Sequence, residues 1–185
     1  FTRCAGGNST NGGDFERGSD PWVSFSPNGV VHQMVLTVSF NAPPDQPQTG
    51  MLVSRSIDGG KSWSAPTTLV ADTAERFNDK NSITADPTDS HFVYAVWDRL
   101  SSVAGEGAGP TLFARSIDNG AHWQSPHIAF DPGASAQTIG NRIEVLPDGT
   151  INSAGSGFSF PFNVTLDAAG NLLVADTGNG AIKQV

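Results

Sequence analysis

Hydrophobic and polar positions alternate in short runs along most of the chain. Trp22-Val23-Ser24-Phe25 changes side at every step, the pattern of a half-buried strand. Pro27-Asn28-Gly29 signals a turn. Residues 30–40 then read as a longer strand carrying Val31, Met34, Leu36 and Val38. Residues 41–49 hold three prolines and predict an exposed loop. Residues 51–57 and 63–70 complete a set of four strands. The plan returns over residues 80–139, with strands at 81–85, 91–97, 111–117 and 123–130 and a Gly-rich loop at 101–110. Both long loops join a second strand to a third, so they project from the same face.

This recurrence is a true repeat. Ser56-Ile57-Asp58-Gly59-Gly60-Lys61-Ser62-Trp63 has a copy 60 residues on, at Ser116-Ile117-Asp118-Asn119-Gly120-Ala121-His122-Trp123. Both read S-x-D-x-G-x-x-W. Leu52 and Leu112, Arg55 and Arg115, and Pro66 and Pro126 align outside them, and Pro27, Pro87 and Pro147 keep the same period. A fixed period of this length sets the architecture. Physically the stretch is a turn that fastens itself. Asp58 and Asp118 accept backbone N–H groups further on, Ser56 and Ser116 add a hydroxyl, and Gly60 and Gly120 tolerate φ > 0. Trp63 and Trp123 start the next strand and pack on a neighbouring sheet. With no nucleophile–base pair among them, these residues are structural.

Both stretches resemble the Asp box, or BNR motif, of sialidase-like β-propellers, a group that includes sialidases, other glycoside hydrolases and non-catalytic propellers. The resemblance implies the fold more than any reaction. The expected class is all-β, of β-propeller-type four-stranded antiparallel blades. Residues 1–19 read as an N-terminal loop, 20–79 and 80–139 as two blades, and 140–151 as the start of a third. Register places a third box at residues 176–183, where no Trp stands. Instead residues 161–185 resemble one NHL repeat, through Asp167-Ala168-Ala169-Gly170-Asn171 and Val174-Ala175-Asp176-Thr177-Gly178-Asn179. The Gly/Ser-rich residues 152–160 read as a linker between them. A closed propeller takes about four to eight blades. The expectation is therefore a partial ring, or one that copies of the chain complete through open blade edges.

Composition adds limits. The formal net charge is −8, which argues against nucleic acid as a partner. No stretch is long and apolar enough to span a membrane. Cys4 is the single cysteine, so no intrachain disulfide forms. The chain begins at Phe1 without an initiator Met or signal peptide and reads as a processed chain or fragment. The resemblance implies a secreted, extracellular setting. Asn8-Ser9-Thr10 is a glycosylation triplet, with Asn8 as acceptor.

Candidate chemistry is sparse. Sialidases hold the substrate carboxylate with arginines, whose planar fork suits bidentate pairing, and use a Tyr–Glu nucleophile and an Asp acid/base. By that resemblance Arg142, on an inner strand, and Arg99, in the Asp98-Arg99 pair, are the substrate-binding candidates. Arg55 and Arg115 repeat with the box and read as packing or surface. Tyr94, the single tyrosine, sits in an alternating strand and also reads as packing. Asp79-Lys80 and Asp98-Arg99 line a cleft or form solvated ion pairs. The acidic residues offer many carboxylate pairs and the sequence does not choose among them. His32, His91, His122 and His127 lack metal-ligand spacing, no EF-hand pattern is present, and no cofactor fingerprint occurs. The expected function is a structural or binding module for a glycan or protein. The alternatives are part of an exo-sialidase or related glycoside hydrolase, and a self-assembling protein.

Overall fold

A computed structural model describes residues 8–10 and 13–146 together with three later strands, at residues 161–166, 172–176 and 181–184. Its regular structure is all β. The first sheet comprises β1 (Arg17–Phe25), β2 (Val31–Val38), β3 (Thr49–Ser56) and β4 (Thr67–Asp72). The second comprises β5 (Arg76–Ala85), β6 (Val93–Ser101), β7 (Thr111–Ser116) and β8 (His127–Phe130). Each is a four-stranded antiparallel meander in sequence order. The later strands β9 (Pro161–Leu166), β10 (Leu172–Asp176) and β11 (Ala181–Gln184) form a three-stranded sheet with β10 in the middle. The two four-stranded sheets are the blade architecture expected of residues 20–139.

The strand edges depart from expectation in places. β1 begins at Arg17, inside the stretch read as loop, and β5 begins at Arg76 rather than near residue 81. The reason is a bulge in each strand. Pairing with the neighbour slips between Ser19 and Trp22 and again between Asp79 and Ser82, with Asp20 and Lys80 both at φ 47°. Gly-Ser-Asp-Pro therefore looks like a turn in sequence, yet pairs on both sides of the kink. The fourth strands start at Thr67 and His127, so Trp63 and Trp123 lie in the turn segments and not on strands. Cys4, residues 147–160 and residues 177–180 lie outside the described residues. The strand ends nonetheless keep step: β3 and β7, the third strands of their sheets, end at Ser56 and Ser116, and β10 ends at Asp176.

The main core is the seam between the two sheets. Met34, Leu36, Val38, Met51, Val53 and Leu69 of the first meet Ile83, Val93, Ala95, Trp97, Leu112 and Ala114 of the second. Strands buried on both faces explain the nearly continuous apolar runs of β2 and β6. The outward face of the second sheet carries Tyr94 and Val96, on which Ile143 and Val145 pack. Ile83 and Ile143, one repeat apart, thus do the same job on successive sheets. The inner strands β1 and β5 lie side by side and run the same way. Residues 141–146, expected as a third inner strand carrying Arg142, run beside β5 without forming a regular strand, held by hydrogen bonds from β5 side chains. Asn81 donates to the Asp20 carbonyl, Ser24 Oγ accepts the Ala85 amide, and Ser82 and Thr84 donate to the Asn141 and Ile143 carbonyls.

Candidate functional site

In each meander the inner strand starts at the end where the second strand gives way to the third. The Asp boxes follow the third strands, so they sit at the opposite end. The two ends do different work.

At the first end, Asp20 and Lys80 occupy the same register one repeat apart, and Gly140 continues the series with φ 71°. A left-handed kink at the same point of β1 and β5 turns Asp20 and Lys80 out of the strand's alternation, and the segment after Gly140 begins with the same backbone turn. Lys80 Nζ lies 3.4 Å from Asp79 Oδ1 and 3.6 Å from Asp20 Oδ2, and the two carboxylates raise its pKa, Asp79 most. All three groups are partly exposed. Two residues beyond each kink stand Trp22, Ser82 and Arg142. Because only a hydroxymethyl group occupies the middle position, the Arg142 guanidinium reaches across to lie 4.4 Å from the Trp22 ring centre, a cation–π contact. Trp22 remains only partly buried.

The floor beneath holds two buried hydrogen-bond networks. Asn78 is completely buried; its amide donates to Thr49 Oγ1 (3.2 Å) and Asp72 Oδ2 (3.0 Å) and accepts from Trp97 Nε1 (2.9 Å). Those partners come from both sheets, so one side chain ties the blades together at this end. Asp98 is buried too. It accepts Thr138 Oγ1 (2.7 Å), the Gly140 amide (2.8 Å) and the Asn141 side-chain amide, anchoring the segment that runs beside β5. Burial pushes its pKa up, against the pull of those hydrogen bonds. The β6–β7 loop is pinned by Glu106, which takes a two-pronged ion pair from Arg76 and a hydroxyl from Ser101 at 2.6 Å. The Arg76 hydrogen bonds, with Ser101, hold the Glu106 carboxyl down at about 2.

Of the substrate-binding candidates, Arg142 takes part in this end through Trp22. Arg99 lies against Asp72, 3.9 Å away, with its Nε buried and unpartnered among the described residues. Tyr94 is buried in the Phe92–Tyr94–Phe113 ring stack, as its strand pattern implies. Asn8 is exposed, its Oδ1 accepting the Thr10 amide (2.9 Å) and hydroxyl (2.5 Å). Sequence reasoning passed over Asp20, Asn78 and Asn81. The only signal for them was the position they share with later repeats.

At the other end both boxes close as their residues require. Asp58 accepts the Ser56 hydroxyl and the Ser62 amide (2.9 Å) and hydroxyl (2.6 Å), and the Gly60 amide reaches Ser56 Oγ at 2.8 Å. Asp118 repeats this with Ser116 and His122, and the Gly120 amide reaches Ser116 Oγ at 2.9 Å. These hydrogen bonds hold both carboxyls down at about 2, Ser62 being the largest influence on Asp58 and His122 on Asp118. Trp123 packs on the seam between the sheets, whereas Trp63 is 39% exposed and donates its ring N–H to the Gly60 carbonyl. Among the described residues no group of three or more His, Cys, Asp or Glu side chains is placed to hold a metal, and no helix is long and apolar enough to cross a membrane.

No family model matches the chain, and no curated protein matches it either. Among solved structures it is similar to the Hadza microbial sialidase Hz136, with a TM-score of 0.51 at 16% identity over 62% of this chain. The match spans 26% of that sialidase. A likeness at this identity establishes the sialidase-like propeller fold. The NHL resemblance of residues 161–185 gains no support from these comparisons.

Proposed function

We propose that this chain is an extracellular sialidase-like propeller segment that binds a hydroxyl-rich glycan where its inner strands begin. One observation carries the reading: the left-handed kink shared by Asp20 and Lys80, which sets two charged side chains at the end that holds the Trp22–Arg142 stack. Sugars are bound by carboxylates, amides and ammonium groups that exchange hydrogen bonds with hydroxyls, against an aromatic plate that takes a C–H face. Asp20, Asp79, Lys80 and Trp22 supply both kinds of contact. The Asn78 and Asp98 networks beneath keep that geometry from adjusting. The Asp boxes, at the far end, serve the fold.

Titration calorimetry against a panel of neutral and sialylated oligosaccharides tests this. Binding by the native protein, weakened at least about ten-fold in Lys80→Ala and in Trp22→Ala, is the expected result. Absence of binding to every glycan, or binding by both variants as tight as that of the native protein, would sink it. A fluorogenic sialoside added to the same samples separates a binding module from a hydrolase, since steady release of fluorophore requires turnover.

A further inference from the structure

The second Asp box does more than close on itself. Asn119, at φ 59°, presents its carbonyl to Arg55 Nη1 (2.9 Å) and its side-chain oxygen to Ser26 Oγ (3.1 Å), both in the first blade. Its own amide donates to the His91 carbonyl at 2.9 Å. Gly120 follows at φ 74° and lies so close to His32 that a Cβ there would stand 2.7 Å from Nδ1. His32 is 1% exposed, and its Nε2 is 2.8 Å from Ser26 Oγ. The tautomer follows from the single proton of Ser26. With that proton given to Asn119 Oδ1, Nε2–H donates to Ser26 and Nδ1 is the nitrogen that faces Gly120. A neutral imidazole suits this buried joint better than an imidazolium, whose added charge would be desolvated beside the Arg55 cation.

The surroundings support this. Arg55, of β3, is the direct cross-strand partner of His32 and the charged group that acts on it. Like charges opposed across a strand pair repel. Ser26, from the β1–β2 turn, and Asn119 and Gly120, from the box, bring no charge. Asp118 next to them is already engaged by Ser116 and His122. The Asn119 side chain favours the charged ring, but burial outweighs it, and the His32 pKa falls to about 4.

We infer that the joint between the blades is an acid-sensitive latch: the Asn119-Gly120 turn is the part that releases, and His32, held between Ser26, Arg55 and that turn, is the part that senses protons. Released, His32 regains an ordinary histidine pKa near 6.5. Linkage then fixes the sign. The neutral ring is favoured in the closed joint, so closure is complete above about pH 6.5 and weakens as pH falls toward 4. The opening equilibrium grows about thirty-fold by pH 5 and roughly a hundred-fold by pH 4. This inference stands apart from the glycan reading, whose residues lie at the other end.

The Asn119 amide is the natural reporter, because its hydrogen bond to His91 breaks when the turn leaves. Its hydrogen-exchange protection factor, corrected for intrinsic rate, is expected to drop about thirty-fold between pH 7.5 and pH 5. In His32→Gln it should stay level over that range. The Gly60 amide, in the box with no such joint, should stay level in both proteins. A level profile for Asn119 in the native protein, or an equal drop in His32→Gln, overturns the latch. Should His32→Gln not fold, proton NMR of the native His32 ring decides. A titration midpoint near 4 upholds the inference and one near 6.5 defeats it.

Discussion

Gly60 and Gly120 hold the same place in the two boxes, both in the left-handed region, at φ 87° and 74°. An added methyl strains either backbone by about 1–2 kcal/mol. At Gly60 the nearest atom beyond its chain neighbours is Trp63 Cζ2 at 3.9 Å, so the cost ends there. At Gly120 the methyl would also meet the buried His32 ring, at 2.7 and 3.0 Å. That adds an overpacking term of about 1–3 kcal/mol. Gly120→Ala should therefore lower the urea unfolding free energy by clearly more than Gly60→Ala. Equal losses would mean that the box does not press on the first blade. The local turn was legible in the sequence, because Ser, Asp and Gly at those spacings can do little else. Its grip on His32 and Arg55 was not. That contact joins residues some 90 and 64 positions apart, and local turn chemistry says nothing of it.

Among the elements, the inner strands carry the clearest contrast. Ile83 of β5 is 1% exposed in the seam between blades, while its repeat mate Val23 of β1 is 49% exposed and nearby Phe25 is 65% exposed. Ile83→Ala should cost about 2–4 kcal/mol by removing packed methyls. Phe25→Ser should change stability by less than about 0.5 kcal/mol. Chemical denaturation of the two variants side by side checks both, and a large loss for Phe25→Ser would show that β1 is covered. Asn78 tests the same seam through polar contacts. Asn78→Ala leaves Trp97 Nε1 buried without its acceptor, for an expected loss of about 1–3 kcal/mol. The repeat and the order of strands were readable from alternation and the 60-residue period. The kinks at Asp20 and Lys80 were not, since a polar run of this kind reads as a turn wherever the paired strand is unknown. Trp63 and Trp123 misled for a related reason: an aromatic after a turn resembles a strand start, and here each is held within the turn segment.

For the whole molecule, the groups that resist protonation fall into two sets with different windows. His32 is depressed to about 4, so the stability it carries is present above about pH 6.5 and fades down to about pH 4. Asp58, Glu106 and Asp118 are each depressed to about 2, by Ser62, Arg76 and His122 respectively. Their contribution is intact above the ordinary carboxylate range near pH 4 and is lost as pH falls toward 2. Asp98 runs the other way. Burial raises its pKa, so protonation relieves a cost and softens the lower stage. The urea midpoint should accordingly fall in two steps on acidification, one on each side of about pH 4. His32→Gln should remove the upper step and keep the lower. Glu106→Gln should shrink the lower step and keep the upper, because its pairing with Arg76 and Ser101 belongs to the β6–β7 loop and not to the latch. A single smooth decline that neither substitution divides would show that the box joint and the loop pin do not titrate independently. The charged sequence, at −8 overall, would then act on stability as one field and not through these two sites.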